Sequence, residues 1–181
     1  MGEMRHLLFE ELDPQLQGVL QAKRLGYLGE FVAVGGHQGK ATTGFQALTE
    51  VLEEALPSEL SEVASSVASR RRNAYEQTQH ERLAATLELS VDWIAVGGAE
   101  CAALSEEARV ASRMALAVVD GYGHGAGDEL TRAVDVLGDD KAAGAPFALG
   151  RYVADAVVSN TLALEAPVKG TVAVPPEESV R

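Results

Sequence analysis

The sequence predicts an all-α protein, a single bundle of six or seven Ala-rich helices. Three observations carry that expectation. Apolar residues recur mainly at three- and four-residue spacings, the period of a helix with one buried stripe. Aromatics supply only 5% of the 181 residues, so the interior must be assembled from Ala, Val and Leu, whose small side chains let helices approach closely. The segments that are β-prone by composition, 31–34, 93–96 and 115–119, follow helical sequence with no turn signal upstream. An α/β fold with strands at those three segments is the alternative, because each is followed by glycines and then a helical pattern. Nothing between Arg82 and Val96, or between Ser105 and Val119, breaks the chain, and that favours helix.

Residues 1–12 form a lead-in whose Leu7, Leu8 and Phe9 can dock on the core. Asp13-Pro14 has the form of an N-cap followed by proline at the first helical position. From there Leu16, Val19, Leu20, Tyr27, Leu28, Phe31, Val32 and Gly35 trace one helix. Gly26 and Gly29 cost it roughly 1 kcal/mol each relative to Ala. Gly36 to Gly39 ends it, with glycine supplying a left-handed terminus. Thr42 or Thr43 caps the next helix, whose stripe is Phe45, Leu48, Val51, Leu52 and Leu56, and Pro57 stops it.

Ser58, with Glu59 and Glu62 behind it, starts a helix that ends near Ala74 or continues past Asn73 and Tyr75. Arg82 to Ala103 is helical by its Leu83, Leu87, Val91 and Ile94 spacing. Ser105-Glu106-Glu107 opens another helix, with acids where the helix dipole favours them. Its stripe is Val110, Ala111, Met114, Ala115, Val118 and Val119, and it ends at Gly121. After a glycine-laden loop Asp128 caps a short helix that stops at Gly138, and Pro146 starts the last, which reaches about Leu164. Residues 1–166 are expected to make one helical domain and 167–181 an extended or disordered tail.

One phrase occurs twice. Glu30-Phe31-Val32-Ala33-Val34-Gly35-Gly36 returns as Asp92-Trp93-Ile94-Ala95-Val96-Gly97-Gly98. The bundle therefore has the option of two pseudo-equivalent halves, although the flanking sequences align poorly.

Composition excludes several classes of function. The net charge of −12 gives little positive field for phosphate neutralisation, so nucleic-acid binding is disfavoured. The basic run Arg70-Arg71-Arg72 is short, and Glu76 and Glu81 follow it. Cys101 is the single cysteine, which rules out an intramolecular disulfide within this sequence. No apolar signal core opens the sequence, and no uncharged run approaches the roughly 20 residues a bilayer needs. The expectation is a cytoplasmic protein without a membrane partner. Arg in excess of Lys, with abundant Ala and Val, points to a GC-rich bacterial genome.

Candidate chemistry falls in three places. The loop 35–44 has glycines, Lys40, His37 and hydroxyls before a helix, as anion sites do. Its spacing is not that of a P-loop, since Val34 occupies the first glycine position and Ala41 the hydroxyl position. The loop 120–128 alternates glycines with Asp120, Tyr122, His124 and Asp128. His124 can act as acid, base or ligand near neutral pH. Glu76 and His80 lie one helical turn apart, the spacing of a surface ion pair or of two metal ligands. Phe31 and Trp93, equivalent in the repeat, pack the core or line a ligand cavity.

Two functional readings result, with no cofactor indicated by either. In the first, a helical protein acts by self-association into a homo-oligomer, or by binding a partner or a small apolar ligand, with Phe31, Trp93, Tyr122 and Lys40 as contacts. In the second, a small enzyme or metal-dependent protein joins His37, His124 and Asp120 across the loops 35–44 and 120–128, with Glu76 and His80 as metal ligands.

Overall fold

A computed structural model describes residues 4–22, 29–53, 55–64, 73–78, 80 and 104–165. The protein is all-α, with no strand among those residues. The predicted helix over 82–103, Trp93 with the second copy of the repeat, Arg70–Arg72, Cys101 and the tail from 167 lie outside them. Segments 31–34 and 115–119 are helical, so two of the three strands of the α/β alternative are absent, and the third lies outside the described residues.

The lead-in docks as expected. Leu7 and Phe9 are buried, and the Leu7 N–H donates to the Ala33 carbonyl at 2.9 Å. Leu8 points to solvent instead. Helix α1 (Pro14–Ala22) follows Asp13, whose Oδ1 accepts from the Gln15 N–H at 2.9 Å. Leu16 and Leu20 on its inner face join Leu7, Phe9, Leu12, Val32 and Ala33 in one core.

The single helix expected from Pro14 to Gly35 does not form. Helix α2 (Glu30–Gly35) begins afresh after Gly29, which is extended at φ −66° and ψ 149°. The glycine penalty noted above is therefore expressed as a break.

The following turn also differs from expectation. Gly35, Gly36 and Gly39 are all right-handed, at φ −62°, −58° and −50°. The chain passes through a short 3₁₀ turn, Gly36–Gln38, straight into α3 (Gly39–Glu53). Space, and not positive φ, is what demands glycine here. A Cβ on Gly36 would meet Leu12 Cδ2 at 2.5 Å, and one on Gly39 would meet Asp13 Cβ at 2.6 Å.

Thr42 and Thr43 lie inside α3 and do not cap it. Thr43 Oγ1 donates to the Gly39 carbonyl at 2.8 Å, while Thr42 Oγ1 reaches back to the Gly35 carbonyl at 2.7 Å. Of the predicted α3 stripe, Leu48 and Val51 are exposed.

Helix α4 (58–64) starts after Pro57 and buries Leu60, Val63 and Ala64. Asn73 closes the question of continuity. Its Oδ1 accepts from the Glu76 N–H at 2.8 Å, so it caps a new helical segment, α5 (74–78, with His80 also helical). Helix α6 (Glu106–Gly121) follows the sequence closely. Ser105 Oγ accepts from the Ala108 N–H at 3.1 Å, and Val110, Ala111, Met114, Ala115 and Val119 are buried.

Tyr122 (φ 51°), Gly123 and Gly125 make a left-handed turn into α7 (Gly127–Leu137). Asp128 lies in the first turn of that helix, and Ala126 holds the cap position. Gly138, at φ 82°, separates α7 from α8 (Asp139–Thr161). Pro146 does not start α8 but lies within it. An internal proline costs about 3 kcal/mol. Here Ala142, Ala145, Ala148 and Leu149 are buried on both sides of it, and that packing carries the helix through. Helix α8 packs against α3, α6 and α7, and so runs alongside most of the described fold.

Candidate functional site

Glu30, the first residue of α2, ties three parts of the chain together. Its Oε1 is 3.1 Å from His6 Nε2, and its Oε2 accepts from the Glu165 N–H at 3.0 Å. The next residue, Phe31, donates its N–H to the Tyr75 hydroxyl at 3.2 Å. The start of α2, the lead-in, α5 and the chain beyond α8 are thereby held in register.

A cleft of about 260 Å³ opens among these elements, partly open to solvent. Phe31 and Phe45 form its aromatic surface, their centroids 5.8 Å apart and their planes 30° inclined. Val34 of α2 and Val158 and Leu162 of α8 contribute aliphatic walls, and Met4 lies at the edge. Apolar atoms dominate the lining. The polar side chains are His37, Gln38 and Thr42. His37 Nε2 is 2.9 Å from the Arg5 carbonyl oxygen.

The fold brings Phe31 and His37 of the sequence candidates to this cleft. Lys40 is exposed on the first turn of α3 and does not line it. Tyr122, 77% exposed, lines a smaller hollow of about 110 Å³ with Val119, Tyr152, Val153, Val157 and Asn160. Asp120 and His124 are exposed at the α6–α7 turn and line neither cleft. His37 and His124 are thus not gathered in one site. Asp128 is also exposed.

Glu76 and His80 are not the surface pair expected from their spacing. They are buried, 8% and 5% exposed, in a polar cluster between α4, α5 and α8. The His80 Nδ1–H donates to Glu62 Oε2 at 2.9 Å, and Nε2 lies 3.7 Å from Glu76 Oε2. Ser159 Oγ donates to Glu76 Oε1 at 2.9 Å. The Tyr152 ring meets His80 edge-on at 4.9 Å, and its hydroxyl is 2.9 Å from Ser61 Oγ.

Asp155 pairs with Arg151, Oδ2 to Nη2 3.0 Å, in an ion pair without hydrogen-bond alignment. Burial pushes the Asp155 carboxyl up to about 7. Arg151 opposes that shift, Glu76 adds to it, and His80 opposes it. The Arg151 guanidinium lies over the Tyr152 ring at 4.7 Å and over Phe45 at 5.7 Å, so the cluster touches the aromatic surface of the cleft.

The carboxylates and imidazole are metal-donor types, but their atoms are committed to Ser159, Arg151 and one another. Among the described residues no group of three or more His, Cys, Asp or Glu is arranged to hold a metal ion. No described helix is long and apolar enough to cross a membrane.

Glu62, Arg151, Asp155 and Ser159 were not among the sequence candidates. A signal existed for two of them. Asp155 and Ser159, four apart, share the inner face of α8 with Tyr152 and Ala156, and polar residues on an apolar stripe need partners. Nothing local marks Glu62, whose partner is 18 residues away. No protein-family model matches the chain, nor does any curated protein.

Proposed function

We propose that the protein binds a compact apolar small molecule in the cleft between α2, α3 and α8. The observation that carries this reading is the concave apolar lining built on the Phe31–Phe45 pair. Folding normally removes such surface from water, and a concave apolar hollow with few polar groups is the usual form of a small-molecule site. Size narrows the occupant. An engineered apolar cavity of about 150 Å³ takes up benzene, so a cleft of about 260 Å³ suits a bicyclic aromatic or a branched aliphatic of similar bulk. Among the described residues the hollow beside the buried polar cluster, at Ser61, Arg151 and Tyr152, is only about 10 Å³, the space of one water.

The test is titration of the full chain with the fluorescent apolar amine N-phenyl-1-naphthylamine, followed by competition with naphthalene. One saturable site is expected. Ala41 is exposed and lines the cleft, so Ala41→Trp fills it without touching the core. That variant should melt like the parent and lose affinity at least tenfold. Binding that does not saturate, or that Ala41→Trp leaves unchanged, rejects the proposal.

A further inference from the structure

The polar groups of the cleft define the head group its ligand should carry, an inference that rests on the apolar-ligand reading above. His37 Nε2 faces the Arg5 carbonyl oxygen at 2.9 Å. A carbonyl only accepts, so Nε2 carries a proton; in the neutral ring that leaves a lone pair on Nδ1. Thr42 has made the same commitment. Its hydroxyl hydrogen goes to the Gly35 carbonyl at 2.7 Å, leaving only lone pairs on Oγ1. Both side chains have therefore spent their hydrogens on backbone carbonyls, and both offer acceptors. Gln38, exposed at the rim, has both donor and acceptor capacity.

The electrostatic surroundings act in the same direction. Glu30 ties the elements that frame the cleft, and the whole chain carries −12. Arg5 is already paired with Glu11 at 2.7 Å and Arg151, over Phe45, with Asp155 at 3.0 Å, while Lys40 is exposed and does not line the cleft. At His37 and Thr42 a carboxylate would bring acceptors against acceptors, and it would approach a chain of net charge −12. A hydroxyl or N–H would find an acceptor waiting.

We infer that the cleft selects an apolar molecule bearing one hydrogen-bond-donating head, of the phenol, alcohol or indole type, over both the bare hydrocarbon and the acid of the same skeleton.

The experiment uses the full chain at pH 7.5 with three probes of one skeleton: naphthalene, 1-naphthol and 1-naphthoate. Each displaces the fluorescent amine. One neutral hydrogen bond corresponds to about a two- to tenfold gain, so 1-naphthol should bind tighter than naphthalene by that factor, and 1-naphthoate weaker than either. His37→Phe keeps the ring bulk and removes the acceptor. It should erase most of the naphthol advantage, read as the ratio of 1-naphthol to naphthalene affinity within the same variant. His37→Leu serves the same purpose should the Phe variant fold poorly. Equal binding of naphthol and naphthalene, tighter binding of naphthoate, or a naphthol advantage that survives both variants overturns the inference and leaves the apolar site standing. If none of the three displaces the fluorescent amine, the apolar-ligand reading itself falls.

Discussion

Asp155 makes the stability of this protein depend on pH in a direction opposite to that of most paired carboxylates. Its pKa is raised from 3.8 to about 7, chiefly because burial penalises the charged form. The folded protein therefore binds this proton more tightly than the unfolded chain does. The resulting stabilisation is fully present below about pH 4 and is lost as pH rises through about 7. A shift of that size, at 1.36 kcal/mol per unit, bounds the loss at roughly 4 kcal/mol. The charged groups around Asp155 are Arg151 on its own helix and Glu76 and His80 on α5, with Glu62 of α4 behind His80. Asp155→Asn keeps the shape and removes the titration. Urea midpoints measured at half-unit intervals from pH 4 to 8.5 give the comparison. The parent should lose more stability across pH 4–7 than the variant, and the gap between them should narrow or reverse by pH 8. Parallel curves would refute the assignment of a raised pKa to Asp155.

Other outcomes follow from single contacts. Glu11 is held down to about 2 by the hydrogen bond from Arg5 and then by the Leu8 N–H. An NMR titration should find its carboxyl midpoint near that value, moving toward 4.5 in Arg5→Ala. Because that pKa is lowered, any stability it lends exists above about 4.5 and fades as pH falls toward 2, the reverse of Asp155. Gly144→Val should destabilise by about 1–3 kcal/mol in urea unfolding, since even a Cβ at 144 would stand 2.9 Å from Ala55 Cβ and 3.1 Å from its carbonyl oxygen. Gly18→Ala, inside α1 with nothing within 4 Å of the added carbon, should instead stabilise by up to about 1 kcal/mol. Equal signs for these two glycine substitutions would contradict the packing described.

Where the sequence was informative, the cause was local. Ser105 and the two glutamates after it specify the start of α6 by capping and dipole, without help from the rest of the chain. The glycines after Gly121 likewise mark a loop, though they do not indicate that Tyr122 is left-handed with Gly123 and Gly125. Errors appear where distant contacts decide. Pro146 looks like a helix start from either side, and only the burial of Ala142, Ala145, Ala148 and Leu149 explains why α8 passes through it. Glu76 and His80 look like a solvated pair because Glu62 and Ser159, which make their burial tolerable, come from other helices. The cleft was half legible: Phe31 and His37 come from the repeat and its loop, but Val158 and Leu162 arrive from more than 110 residues away.

The glycines of the first repeat copy take on a different meaning from this geometry. Helix ends are what Gly-Gly suggests in isolation, yet both residues are right-handed and the backbone continues into α3. Missing side-chain volume matters instead. Without a Cβ, Gly36 admits Leu12 and Leu7 of the lead-in, and Gly39 admits Asp13. Close approach of the lead-in is also what places the Arg5 carbonyl within reach of His37 and sets Met4 at the cleft edge. On the other wall, Arg151 bridges the buried cluster and Phe45. Two separate devices thus shape one cleft: absent side chains fix its lead-in wall, and a buried ion pair braces its aromatic surface. Enlarging Gly36 should therefore disturb the His37 side of the site, while neutralising Asp155 should act through Phe45, and ligand affinity measured in the two variants together should report nearly additive losses.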